Sequence, residues 1–483
     1  MSDTPILDDS ELAARTATQQ PMRGDLTQGP VGKTLLIFAL PTLGSNVLQS
    51  LNGSISAIYV GKFLGEDAFA ATGIAAMVMF LIFSAVFGLA MAATILIGQA
   101  MGRRDLDEVR RTIGATIGAF IAISLVITAL GGMLVEPMLR LLATPAAAFP
   151  FAEQFLKVVL VGVPFVFLTV LLQSAMRGVG DAVTPLWTTV LNLVLSLVLN
   201  PIFILGLGPI PAMGLAGAAW AGVLTNLICL IYMIAATYWR DLPIRLRRAD
   251  LHLLLPDWEH LRPVLAIGLP MGLSMIIMSV SGLVMMGLIN REGVATVAAY
   301  NAANQIWSYI QMPAFAVASA VSAMAAQNIG AGRWDRIDRL AGVGVAVNVV
   351  MPGVLVVAML LSGHFLLGLF LPQASPAIAI GDHINWLIGW TFIPMGISMV
   401  MTSIVRANGA VLVPLLILVF SVIVVRMTVG FSLHPVHGAD AIWWSFMASG
   451  TASALMAVAY YFHGGWRKGA GAPPHGGTAL AAE

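Results

Sequence analysis

Apolar residues run almost without interruption in twelve blocks, at about 34–60, 69–97, 112–134, 155–176, 186–206, 214–238, 264–289, 298–326, 340–371, 384–405, 411–432 and 440–463. Each block matches the roughly 20 residues that an α-helix needs to cross the hydrocarbon core of a bilayer. The runs are continuous, so they predict helices and not barrel strands, in which polarity alternates over ~10 residues. The expected fold is all-α and integral to the membrane, with twelve transmembrane helices.

Scarce polar residues and helix breakers divide these runs into two copies of one six-span unit, residues 34–238 and 263–463. Pro41 aligns with Pro270 in the first span of each copy, where both are candidate helix kinks. The loop RGVGDAVTP (Arg177 to Pro185) overlays RANGAVLVP (Arg406 to Pro414), and both matches share an offset of 229. After the second span, GQAMGRRD (Gly98 to Asp105) overlays AQNIGAGRWD (Ala326 to Asp335), with Gln99 on Gln327 and Gly102 on Gly330 at an offset of 228. A one-residue gap reconciles the two values. With six spans per copy, the second copy starts on the same side of the membrane as the first, so the repeats are parallel. Duplicated bundles of this kind are the usual architecture of secondary transporters, whereas a period of a few tens of residues would point to a solenoid or propeller.

Composition agrees. The mean hydropathy is +0.90, and only 10% of residues are charged, against about 25% in soluble domains. Nineteen Lys and Arg residues fall on the side of the termini and four opposite, with Arg426 left inside a span. The positive-inside rule then places both termini in the cytoplasm and the chain in the cell inner (plasma) membrane as a multi-pass protein. The expected domains are a cytoplasmic tail (1–33) that reads as disordered, an N-lobe (34–238), a basic cytoplasmic linker (239–262), a C-lobe (263–463) and a second cytoplasmic tail (464–483). Cys229 is the single cysteine, so neither an intrachain disulfide nor a thiolate metal cluster is expected. The sequence lacks a GxxxxGK[ST] motif to cradle ATP. Energy is therefore expected from an ion gradient or the substrate's own gradient. No cofactor, metal, nucleotide or nucleic acid is expected as a partner.

All 23 acidic residues fall in tails, loops or the ends of spans. Proton-coupled carriers commonly need a carboxylate whose pKa is raised by burial. The deepest candidates for cation coupling are Asp382 and Glu153, repeat mates that each open the fourth span of their half. The helix macrodipole alone also favours an acid in a first turn. Arg426 either faces the bundle, to bind an anionic group or organise carbonyls, or snorkels to the headgroups.

Uncharged polar residues form stripes. Gln49, Asn52 and Ser56 share a face of the first span, and Asn192, Ser196 and Asn200 recur at i, i+4 and i+8 in the fifth. Asn301, Asn304, Gln305 and Ser308 form a stripe in the eighth. Singly, such residues pack helices together; as a set they predict a cavity between the halves. The seventh span adds Met271, Met275 and Met278, flexible side chains that adapt to ligands of differing shape. The candidate substrate-binding set is Gln49, Asn52, Ser56, Asn192, Asn200, Met275, Asn301, Asn304 and Gln305.

In order and spacing these elements resemble the multidrug and toxic compound extrusion (MATE) family over about residues 30 to 465. The resemblance rests on Pro41 followed by YVGKFLG (Tyr59 to Gly65), the GQ motif with Gly102, the RGVGDAVTP loop, the Asn192/Asn200 pair leading into Pro201, and the matching elements of the second half. It implies a two-lobe, twelve-helix efflux carrier with a cavity between the lobes. Such a carrier exchanges sodium or protons for organic cations, drugs and related amphiphiles, the xenobiotic export that underlies antibiotic resistance. The chain departs from the family at its usual carboxylates. A first-span acid of many members falls here at Ser56, another at Asn200, and a seventh-span acid of one branch at or near Met278. Coupling then falls to Asp382 and its surroundings, or to a sodium ion held by neutral oxygens.

The expected mechanism is alternating access by rocking of the two lobes of a monomer in the lipid bilayer. The nearest rival is a flippase for lipid-linked saccharides, whose large anionic substrates usually require a cationic cavity; here only Arg426 lies in mid-span. A membrane-embedded enzyme would need convergent acid, base or nucleophile groups at membrane depth. Asp382 and His383 are adjacent, pointing about 100° apart on a helix, and His364 has no acid near it in sequence. A channel suits two kinked, duplicated lobes less well than alternating access does.

Overall fold

The structure is a computed structural model describing residues 24–468, apart from 142–143, 145–147, 207–210, 256 and 373–374. The expectations for residues 1–23 and 469–483 lie outside the described residues. Eleven helices are long and apolar enough to cross a membrane, and a bent helix pair supplies a twelfth span. The first half contains α1 (Val31–Gly65), α2 (Ala71–Gly102), α3 (Leu106–Leu141), α4 (Phe149–Gly178), α5 (Val183–Leu205) and α6 (Gly214–Trp239). The second contains α7 (Trp258–Ile289), α8 (Val294–Gly330), α9 (Trp334–Gly368), α10 (Ala377–Gly389), α11 (Phe392–Ala407), α12 (Leu412–Val419), α13 (Arg426–His437) and α14 (Ala439–His463).

Local sequence sets the breaks. Gly65 has φ 83° and ψ −174°, which L-residues avoid, and there the chain turns from α1 towards α2. Pro41 and Pro270 each lie inside a continuous helix. One turn on, Ser45 Oγ donates to the Pro41 carbonyl at 3.0 Å, and Ser274 Oγ to the Pro270 carbonyl at 2.9 Å. The tenth span is not the single helix that its apolar run predicts. It bends by 41° between α10 and α11. Pro394, at the start of α11, has no N–H for the Trp390 carbonyl, and the turn tightens to a Thr391 N–H to Ile388 carbonyl bond of 2.8 Å. In the eleventh span a π-helical turn, Phe420–Val425, joins α12 to α13.

Apolar packing exchanges the first helix of each half. Leu35, Phe38 and Ala39 of α1 are buried with Val317, Ala320 and Met324 of α8 and Val400 and Ile404 of α11. Reciprocally, Val264, Ile267 and Met271 of α7 are buried among second-, third- and fourth-span residues of the other half. Small side chains permit this approach: Ala320, Ala323, Ala325 and Ala326 on α8 are fully buried. The linker folds back on the first half, with Leu242 and Ile244 buried there and a short 3-10 helix, Arg248–Leu254, against α3.

The end of the N-terminal tail departs from the expected disorder. The N–H of Leu26 donates to Gln327 Oε1 at 2.9 Å, and Arg336 donates to the carbonyls of Gly29 at 2.8 Å and Gln28 at 3.2 Å. The physical reason is that buried α8 and α9 side chains supply partners for a backbone with no secondary structure of its own.

Candidate functional site

The two halves meet in a seam on the face that carries the described termini, and the seam is built from repeat mates. Gln99 Nε2, at the end of α2, donates to the Ala407 carbonyl at the end of α11, at 2.7 Å. Gln327 Nε2, at the end of α8, donates to the Gly178 carbonyl at the end of α4, at 2.9 Å. The donors align in the two copies, and so do the acceptors. Gly102 and Gly330 repeat the reciprocity: a Cβ on Gly102 would strike the Gln327 carbonyl oxygen, and one on Gly330 the Gln99 carbonyl oxygen. The glutamines therefore sit where the helix backbones touch.

Towards the opposite face, the candidate residues of the first half gather along α1 and α5. Asn52 Nδ2 donates to Asn192 Oδ1 at 2.9 Å, joining the two helices. The Asn52 Oδ1 is buried with no hydrogen-bond partner among the described residues. Asn200 is 5% exposed, Ser56 and Asn192 are half-buried, and Gln49 is exposed. In the second half Asn301, Asn304 and Gln305 are exposed along one face of α8, whose other face buries Ala302, Ala303, Ile306 and Trp307. Met275 is half-buried. Amides on an exposed face of a membrane-spanning helix are costly against lipid and tolerated beside water, so the α8 stripe fits the wall of a hydrated cleft. No hydrogen bond among the described residues joins the first-half set to the second-half set.

Several polar groups of the second half escaped the sequence reading. Asn385 Oδ1 accepts from Trp307 Nε1 at 2.9 Å, and its amide nitrogen is buried without a partner among the described residues. Asn348, fully buried, donates to the Gly396 carbonyl at 3.0 Å. Each is a lone amide in an apolar run, and that was the available signal. Arg426 lies between α13 and α14, its Nε 3.0 Å from Ser449 Oγ and its guanidinium 4.4 Å above the Phe446 ring.

The acids stay at the helix ends. Glu153 pairs with Lys157 one turn along α4, at 2.6 Å. Asp382 faces His364 of α9, Oδ2 to Nδ1 at 3.4 Å, so the fold gives His364 the acid that its sequence neighbourhood lacks. Two further histidine–acid pairs lie at this same end of the second half, His383 with Asp440 at 2.8 Å and His434 with Glu292 at 2.6 Å. The repeat mates Glu153 and Asp382 thus have different partners, a lysine on the same helix and a histidine on a neighbouring one.

A cavity of about 670 Å³ at the face of the termini is lined by Asp107, Arg110, Asp250, His252, Asp257 and His260, among others. Its polar groups serve the linker. Asp257 caps α7 by accepting from the Glu259 N–H at 3.1 Å, and it contacts His260 Nδ1 at 2.9 Å. These bonds hold the Asp257 carboxyl below its ordinary range, the backbone N–H first and the imidazole second. The cavity lies apart from the amide stripes.

The comparisons with known proteins agree with this arrangement. The MatE family model matches the chain twice, at residues 41–202 and 270–432, in the register of the internal repeat. The probable multidrug resistance protein YoeA of Bacillus subtilis (strain 168) is 30% identical over 92% of this chain and 96% of its own length. YpnP of the same organism, also named a probable multidrug resistance protein, is 30% identical over 92% and 97%. Among solved structures, one described as the outward-facing conformation of a multidrug resistance MATE family transporter superposes with a TM-score of 0.85. It covers 93% of this chain and all of that chain at 19% identity. The chain belongs to the MatE family, and is thus a transporter and not an enzyme.

Proposed function

We propose that the protein exports amphiphilic organic compounds, organic cations and drugs among them, by cation-coupled antiport with alternating access. The observation that carries this reading is the reciprocal seam: Gln99 and Gln327 close one face of a duplicated bundle, while Gln49, Asn301, Asn304 and Gln305 stay exposed along α1 and α8. A bundle closed at one end by a few backbone-level contacts suits a two-state rocking motion. With the termini in the cytoplasm of an inner-membrane protein, this arrangement is the outward-facing state of a monomer. Gln49, Asn52, Ser56, Asn192 and Asn200 polarise one wall of the cleft, and Asn301, Asn304, Gln305 and Met275 the other, with Pro41 and Pro270 as bending points in α1 and α7.

Coupling attaches to Asp382 rather than to Glu153, because the Glu153 charge is already matched by Lys157. Asp382 and His364 together offer a carboxylate and an imidazole to a cation arriving from outside. Sodium or proton is decided by purified protein in liposomes, loaded with one fluorescent organic cation and given a sodium jump or, separately, a pH jump. One of the two jumps is expected to drive dye movement, and Asp382→Asn to abolish that response. Dye movement that ignores both gradients would remove antiport from the reading.

A further inference from the structure

Arg426 sits near the middle of the span Leu412–His437, about 17 Å from its end at His437 at helical rise. No ion pair among the described residues includes it. Its Nε donates to Ser449 Oγ and its face rests on Phe446, while the paired terminal nitrogens make no hydrogen bond to any described residue. Tyr300 of α8 lies within electrostatic reach of the guanidinium and stacks at 5.9 Å on the buried Trp443. The π-helical turn Phe420–Val425 ends immediately before Arg426, and such turns often mark functional sites. In the other half the repeat mate is Leu197, 41% exposed.

A guanidinium that stays charged at membrane depth needs an acceptor for its remaining N–H fork, and its planar geometry matches carboxylate and phosphate oxygens bidentately. We propose that Arg426 forms an anion-binding subsite in the second half, taking the carboxylate or phosphate of a zwitterionic or anionic amphiphile. Phe446 and Ser449 hold the guanidinium from behind, leaving the terminal nitrogens to the ligand. Tyr300, half-buried in the same half, offers an aromatic face to the ligand's ring system. The subsite rests on the export reading only for the ligand's role as cargo.

The test uses a matched dye pair, a zwitterionic rhodamine carboxylate and its cationic methyl ester. Polarisation of each dye on purified protein reads binding, and uptake into liposomes reads transport. Wild-type protein is expected to bind the carboxylate at least about tenfold more tightly than the ester, and Arg426→Met to erase that preference without weakening the ester. Arg426→Lys, which keeps a charge but loses the fork, is expected to restore part of it. Equal wild-type affinity for the two dyes overturns the subsite, and this result needs no variant to fold. A preference that Arg426→Met leaves intact in folded protein would assign carboxylate binding to another group and also overturn it. Preferential binding without uptake keeps the subsite and sinks the export reading instead.

Discussion

The two halves of the bundle are near copies where they touch and unlike where they face the cleft. At the seam, Gln99 bonds the end of α11 and Gln327 bonds the end of α4, each donating to the carbonyl of the helix's last residue, and the two acceptors are repeat mates. In the polar residues proposed to line the cleft, the first half pairs Asn52 with Asn192, whereas the second half carries Arg426 where its repeat mate is Leu197. The difference follows from what each region must satisfy. A seam has to close on itself, so each backbone shape constrains its partner, and a change in one copy requires a matching change in the other. A cleft wall meets a ligand that need not be symmetric, and its two sides are free to diverge.

The largest effects are expected at the glycines of the seam. Gly102→Val and Gly330→Val each drive a side chain into a backbone carbonyl oxygen, and backbone yields less readily than a neighbouring side chain. Overpacking a tight contact typically costs about 1–3 kcal/mol, enough to shift a two-state equilibrium about tenfold or more towards the state in which the seam is open. Both variants should lose transport by at least about tenfold. A cysteine introduced at Ala326, which is 0% exposed, should become reactive to an impermeant maleimide applied from the face of the termini. Comparable effects of the two substitutions would support the reciprocity. A large loss in one and none in the other would break it.

Smaller effects, and a graded asymmetry, are expected at the glutamines. Among the described residues the Gln99 side chain makes a single hydrogen bond, to Ala407, whereas that of Gln327, besides its bond to Gly178, also accepts from the Leu26 N–H and donates to Gly24. Each buried bond contributes about 0.5–1.5 kcal/mol, and an orphaned buried partner costs about 1–3 kcal/mol. Gln99→Leu should raise maleimide reactivity at the seam a few-fold, and Gln327→Leu by about tenfold, because it also releases the tail. Deleting residues 1–30 should reduce the Gln327→Leu effect to that of Gln99→Leu. If the two glutamine variants match in the intact chain, the tail adds nothing to closure.

Much of the seam was legible in the sequence and little of the cleft was. Gln99 and Gln327 stood out because they are scarce polar residues in matched positions, each followed three residues on by a matched glycine, Gly102 or Gly330, and repetition isolates whatever both copies must keep. Their role was not legible, since no spacing along the chain reveals that a side chain reaches a carbonyl 308 residues away, as Gln99 does, or 149 away, as Gln327 does. The same holds for His364, whose acid is supplied by a neighbouring helix. The bend in the tenth span was hidden because hydropathy reports burial in lipid and not the backbone, although Pro394 was in plain view. Arg426 was visible as a charge in mid-span, but its support by Phe446 and Ser449 depends on how α13 packs on α14.

The smallest effects are expected at the amides of the first half, where comparison with Arg426 is sharpest. Asn52→Leu removes the bond to Asn192 and leaves that amide oxygen without its donor, and Asn200→Leu replaces a buried amide on the same helix as Asn192. Each loss is on the order of 1 kcal/mol, hence a few-fold in affinity, and together the pair should lower transport by about tenfold at equal levels of folded protein. These amides are neutral, and Asn52 already engages Asn192, so the double variant should weaken a rhodamine carboxylate and its methyl ester alike. Size-exclusion profiles would establish folding, and the ratio of uptake for the two dyes would give the answer. An unchanged ratio with reduced rates assigns shape and polarity to the first half and charge selection to the second. A shift in that ratio as large as the one expected from Arg426→Met would mean that charge selection is shared across the cleft, and the functional division between the halves would fail.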